Sequence, residues 1–111
     1  MAGPIILRDL TDRQLELLES SGTLAFIPRF RLGDGDVLMI WWESRARWVY
    51  ALVDKVVVDA GISDYEEYVR YSGYGSVEEW LSAEEKRLGG VLPRRLALLR
   101  LVEYGSWEEK Q

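Results

Sequence analysis

A chain of 111 residues with a net charge of −5, 48% of it hydrophobic and 30% charged, has the size and balance of one globular domain. With neither Cys nor His it has no disulfide, thiolate nucleophile, Cys-ligated zinc or Ser-His-Asp triad. Chemistry falls to carboxylates, Arg, Tyr, Ser, Thr and three lysines, Lys55, Lys86 and Lys110; no cofactor and no metal is expected. No apolar run nears the ~18 residues of a membrane span and no leader pattern opens the chain, so a cytoplasmic protein without membrane attachment is expected. Residues 1–111 read as a single domain with its core over about residues 5–103.

In chain order, Ile5-Ile6-Leu7 after Pro4 reads as a first strand. Thr11 and Gln14 form a capping box opening a helix that buries Leu15, Leu17 and Leu18 and ends at Ser20-Ser21-Gly22. Leu24 to Leu32 then alternates with period two, which sets Phe26, Pro28, Phe30 and Leu32 opposite Ile27, Arg29 and Arg31. Gly33-Asp34-Gly35-Asp36 is a turn into the apolar run Val37–Trp42, so the two strands are expected to form a hairpin, the second buried on both faces. Asp34 and Asp36 lack a third ligand at EF-hand spacing, so turn chemistry explains them better than a metal.

Glu43 to Arg47 is a polar turn, and Trp48–Val58 is the longest strand signal, interrupted at Asp54-Lys55 by a bulge or an edge. Ser63 to Glu66 reads as a second capping box, for a helix through about Tyr71, and Ser76 to Glu79 as a third. The helix after Ser76 carries Val77, Trp80, Leu81 and Leu88 on one stripe, with Glu78, Glu79, Glu84 and Glu85 expected to face water. Gly89-Gly90 and Pro93 stop it, Arg95–Val102 is a last strand, and the tail after Gly105 is expected to fray apart from Trp107. This order is α+β, with a small, mostly antiparallel sheet that closure would make a barrel.

Candidate ligand contacts follow from residue type. Arg29 and Arg31 present planar forks for phosphate or base edges, and Arg47, beside Arg45, extends a basic rim. Of the adjacent Trp41 and Trp42 only one can face the core; Trp42 is assigned as a stacking surface, and Trp48 and Trp80 as core. Tyr71 and Tyr74, around Ser72-Gly73, make a lid over a flat ligand, with Tyr68 packed beneath its helix. Salt bridges to Glu66 or Glu67 are the alternative for Arg29 and Arg31.

The helix running into Ser21-Gly22, the Arg29 strand, the Gly-Asp turn feeding an apolar strand, and Ser76-Val77-Glu78-Glu79-Trp80-Leu81 before the last strand together resemble the ASCH domain family of the PUA-like superfamily. The family motif Gly-x-Lys-x-x-Thr-x-Arg meets this chain at Gly22 and Arg29, with Leu24 at the Lys position and Ile27 at the Thr position. The resemblance implies a PUA-like β-barrel of about five strands with two or three flanking helices, and a cleft, reached by Gly22 and Arg29, for RNA, a nucleotide or a modified nucleoside. In its amidohydrolase branch the Lys and Thr, with a Glu from the helical region, are proposed to act. Leucine is no base and isoleucine no nucleophile, so a non-catalytic RNA- or nucleotide-binding domain is the leading expectation. The alternatives are a hydrolase of an acylated nucleoside or of RNA, with Glu43, Glu66 or Glu67 as base, and a protein-interaction module that forms a homodimer.

Overall fold

The computed structural model describes residues 3–102; the expected tail after Gly105 lies outside them. The strands are β1 (Ile5–Leu7), β2 (Thr23–Phe26), β3 (Val37–Trp42), β4 (Arg47–Val58) and β5 (Arg95–Leu101), and the helices α1 (Asp12–Ser21), α2 (Ile62–Tyr68) and α3 (Val77–Arg87). Their succession along the chain is the expected one. They build a mixed sheet of order β1-β3-β4-β5-β2, parallel between β1 and β3 and antiparallel elsewhere. The α+β class is as read, but the sheet is open, with β1 and β2 as its edges.

The expected β2–β3 hairpin does not form. β2 pairs with β5, whereas β3 pairs with β1 and β4. The strand read as Leu24–Leu32 ends at Phe26 for two reasons. Pro28 has no N–H for a ladder, and the Ile27 N–H donates instead to the Glu84 carboxylate at 2.7 Å. The Gly-Asp turn leads into β3 as read, pinned on β4 by Gly35 N–H to the Val53 carbonyl and Val53 N–H to the Asp36 carbonyl. Asp36 accepts from the Gly33 N–H and Asp34 from the Val56 N–H, so both carboxylates serve the turn.

The sheet has a core on each face. Leu24 and Phe26 of β2, Leu38, Ile40 and Trp42 of β3, Val49, Ala51 and Val53 of β4 and Leu99 of β5 pack with Leu15 and Leu18 of α1. Leu7 of β1 joins the same cluster, so both edge strands contribute to it. Ala25, Ile27 and Leu96 point the other way, onto Tyr65, Tyr68, Trp80 and Leu88 of the α2–α3 layer. Burial of β3 on both faces, expected from its unbroken apolar run, is not what the fold shows. The strand alternates instead, because the helical layer does not reach it: Leu38, Ile40 and Trp42 are buried while Met39 and Trp41 are half-exposed. Trp41 packs edge-on against Trp48 on that uncovered side, 5.1 Å between ring centroids, so Trp48 lies outside the assigned core.

The interruption in β4 is a bulge. Register shifts between Val53 and Lys55, leaving Asp54 as the extra residue. It exchanges the faces of the strand: Val53 and Val56 both pack on the α1 side, and Val57 on the helical layer.

Helix α1 has the predicted capping box, Thr11 with Gln14, and ends on Gly22 at φ 82°, a conformation glycine adopts without strain. α3 is capped by Ser76, which accepts from the Glu79 N–H. The cap predicted at Ser63 lies instead at Gly61, two residues earlier: α2 begins at Ile62, and the Asp64 carboxylate, its third residue, accepts from the Gly61 N–H. No described helix is long and apolar enough to cross a membrane.

Tyr65 packs edge-on against Trp80, and burial, the leading cause, raises its phenol above the ordinary value. Its folded-state value lies above that of the unfolded chain, about 10. The neutral phenol's contribution is therefore intact below that pH and is lost as pH rises through the folded value. Alkaline titrations of stability should show wild type declining above pH ~10, with a shallower decline in Tyr65→Phe.

Candidate functional site

The structure distributes the sequence-derived site residues over three places. The first surrounds Glu84, which is 1% exposed although the sequence reading set it toward water. Its carboxylate accepts from Gln14 Nε2 at 3.0 Å, the Ile27 N–H at 2.7 Å, and Arg87 Nε and Nη2 at 2.8 and 3.1 Å. Arg87 extends the network to Asp9 at 2.9 Å and to the Ile27 carbonyl. Arg29 lies at its edge: Nε donates to Asp9 at 3.3 Å and Nη2 to the Arg87 carbonyl at 3.1 Å. Its guanidinium is thus engaged by the fold, not by Glu66 or Glu67. Leu24 and Ile27, at the motif's Lys and Thr positions, are each 0% exposed and belong to opposite cores.

The second place is the flank of α1. Trp42 is 1% exposed, donates Nε1–H to Asp12 at 2.9 Å, and is covered by Arg45 and Arg47 at 4.6 and 5.2 Å from its ring centre. Hydrogen bonds from Ser44 and Trp42 hold the Asp12 carboxyl below its usual range. Arg47 also pairs with Glu19, and Arg45 with Glu16. A ring so enclosed offers no face to a base. Tyr74 lies under Arg13, 4.3 Å from guanidinium to ring centre, and Tyr71 lies between Tyr68 and Arg70. Both tyrosines are partly buried against the α2–α3 core. Gly22 is the C-cap of α1, held by its N–H to the Leu18 carbonyl.

The third place keeps its charges unspent. A cleft of about 400 Å³ at one end of the sheet is lined by Arg31, Val58, Asp59, Arg94 and Arg95, within the usual range for small-ligand sites. Val58, the last residue of β4, faces Arg95, the first of β5, across the ladder. The Ala60 N–H donates to the Arg94 carbonyl at 2.8 Å, which fixes the chain just beyond the strand ends. Leu32, 8% exposed, anchors the irregular segment that carries Arg31. Among the described residues none of these three guanidinium groups takes part in an ion pair or a side-chain hydrogen bond. The Nε of Arg95 is moreover buried without a partner. An orphaned buried donor costs roughly 1–3 kcal/mol, more when charged, so an acceptor at this point has a standing advantage. With Asp59 the only acid in the lining, the cleft is net cationic in a chain of net charge −5.

Of the residues read from the sequence, only Arg31 reaches this cleft. Arg94 and Arg95 were missed, although an Arg pair after Pro93, with no acid adjoining it, is a legible signal. No group of His, Cys, Asp or Glu side chains suited to a metal occurs among the described residues. Comparison of the chain with protein-family models, curated proteins and solved structures finds no match.

The Glu84 network and Arg29 differ sharply in expected cost. Glu84→Ala leaves Arg87, 6% exposed, without its buried counter-charge, and should lower urea-unfolding stability by about 3–5 kcal/mol. Arg29→Ala removes a half-exposed pair and should cost about 0–1 kcal/mol.

Proposed function

We propose that the protein binds an anionic ligand, RNA or a nucleotide, in the cleft of Arg31, Arg94 and Arg95, and that it acts by binding and not by catalysis. The observation that carries this reading is that, among the described residues, the buried Nε of Arg95 has no partner and the guanidinium groups of Arg31 and Arg94 beside it have no ion pair. Arginine forks match phosphate oxygens in geometry and charge. Elsewhere among the described residues arginines meet carboxylates or aromatic rings, so three left without such partners there, in one hollow, favour an external anion.

Binding without catalysis is favoured by the groups at hand, which among the described residues put a single carboxylate, Asp59, and no Ser, Thr, Tyr or Lys in the lining of the cleft. A guanidinium stays protonated near neutral pH and cannot act as a general base. Glu84, the buried carboxylate of the helical region, already accepts four hydrogen bonds. The ASCH resemblance supports RNA as the ligand class. We further read the open sheet as a variant of the PUA-like barrel; the single core that residues of all five strands share with α1 favours this.

The test is titration of a labelled single-stranded RNA, followed by fluorescence anisotropy over a range of salt. Wild type should bind with affinity that falls as salt rises. Arg31→Ala, Arg94→Ala and Arg95→Ala should each weaken binding and reduce the log–log salt slope by ~0.7 for every phosphate no longer neutralised. Arg47→Ala, whose guanidinium is held by Glu19 and Trp42, should leave that slope unchanged. Equal slopes in all four variants would count against the cleft.

A further inference from the structure

Asp59 sets the cleft apart from a simple arginine clamp. It lines the hollow with Arg31, Arg94 and Arg95, yet forms no ion pair with any of them among the described residues. A carboxylate present to neutralise the arginines would lie against one of them. Its backbone is left-handed, at φ 51°, a conformation that Asp reaches more readily than most residues. The bend holds an unspent acceptor at the mouth of β4, next to three unspent donors. A ligand that satisfies both must join an anion to a hydrogen-bond donor within the span of one 400 Å³ cleft.

On the reading that the cleft binds a nucleic-acid unit, we infer that Asp59 selects ribonucleotides. The phosphate lies on the arginines, and a ribose hydroxyl donates its hydrogen to the Asp59 carboxylate. The 2′-hydroxyl is the donor that RNA has and DNA lacks. A deoxyribonucleotide leaves the carboxylate facing the ligand unpaired, beside phosphate charge that it repels. Asp59 therefore reduces anion affinity in general and restores it for a sugar that can donate.

The experiment measures labelled single-stranded RNA and DNA of the same sequence against the full chain at one fixed salt concentration. It uses wild type, Asp59→Gly, Asp59→Asn and Arg95→Ala. Glycine accepts positive φ and removes the acceptor; asparagine accepts that conformation too, and keeps a carbonyl acceptor without the charge. Wild type should favour RNA by about tenfold, the scale of one net hydrogen bond to a charged acceptor. Asp59→Gly should bind both strands with nearly equal affinity, chiefly by gaining DNA binding, and Asp59→Asn should retain a preference for RNA. Equal wild-type affinities, or a preference that survives in Asp59→Gly, overturn the role of Asp59 while Arg95→Ala still weakens both strands. Binding to either strand that is indifferent to Arg95→Ala, or absent, overturns the cleft reading itself.

Discussion

The arrangement depends on one buried carboxylate. Glu84 accepts from α1 through Gln14, from the end of β2 through the Ile27 N–H, and from its own helix through Arg87. A buried charge is tolerated only when its lone pairs are met by donors held in place, and here four bonds meet them. Taking the Ile27 N–H for a side chain ends β2 and sends residues 27–36 off the sheet. That irregular segment carries Arg31 to the end of β4 and β5, where the cleft opens. The same constraint that terminates a strand thus helps to build the site.

Most of the arginines are likewise committed within the fold. Arg87 is committed to Glu84 and Asp9, and Arg29 to Asp9 and a helix carbonyl. Arg45, Arg47 and Arg13 cover the rings of Trp42 and Tyr74 while pairing with acids. These interactions close the surfaces around α1 and β3. Three of the remaining arginines, Arg31, Arg94 and Arg95, come together at the strand ends, and an acidic chain acquires a local cationic hollow.

Much of the fold was legible because it rests on local chemistry. The cap at Thr11, the left-handed Gly22, the order of strands and helices, and the break at Asp54 each follow from a few adjacent residues. Strand partnership was less legible: β2 joins β5, the last strand of the chain, through long-range burial that no short pattern contains. Glu84 was misread by residue type although the periodicity held the answer. It stands four residues from both Trp80 and Leu88, on the apolar stripe itself. Trp42 was read as an open stacking face, but only the structure brings Asp12, Arg45 and Arg47 around it. Arg94 and Arg95 lay in plain view after Pro93. What could not be seen is that, among the described residues, no acid pairs with them.

The most direct measurement follows the arginine side chains themselves, by recording Nε–H resonances while inorganic phosphate and then single-stranded RNA are added. The Nε–H of Arg95, buried and without a partner among the described residues, should shift with each ligand. The resonances of Arg87 and Arg29, already bonded within the Glu84 network, should stay in place. Movement of Arg29 with a stationary Arg95 would contradict the account and return the ligand to the edge of α3.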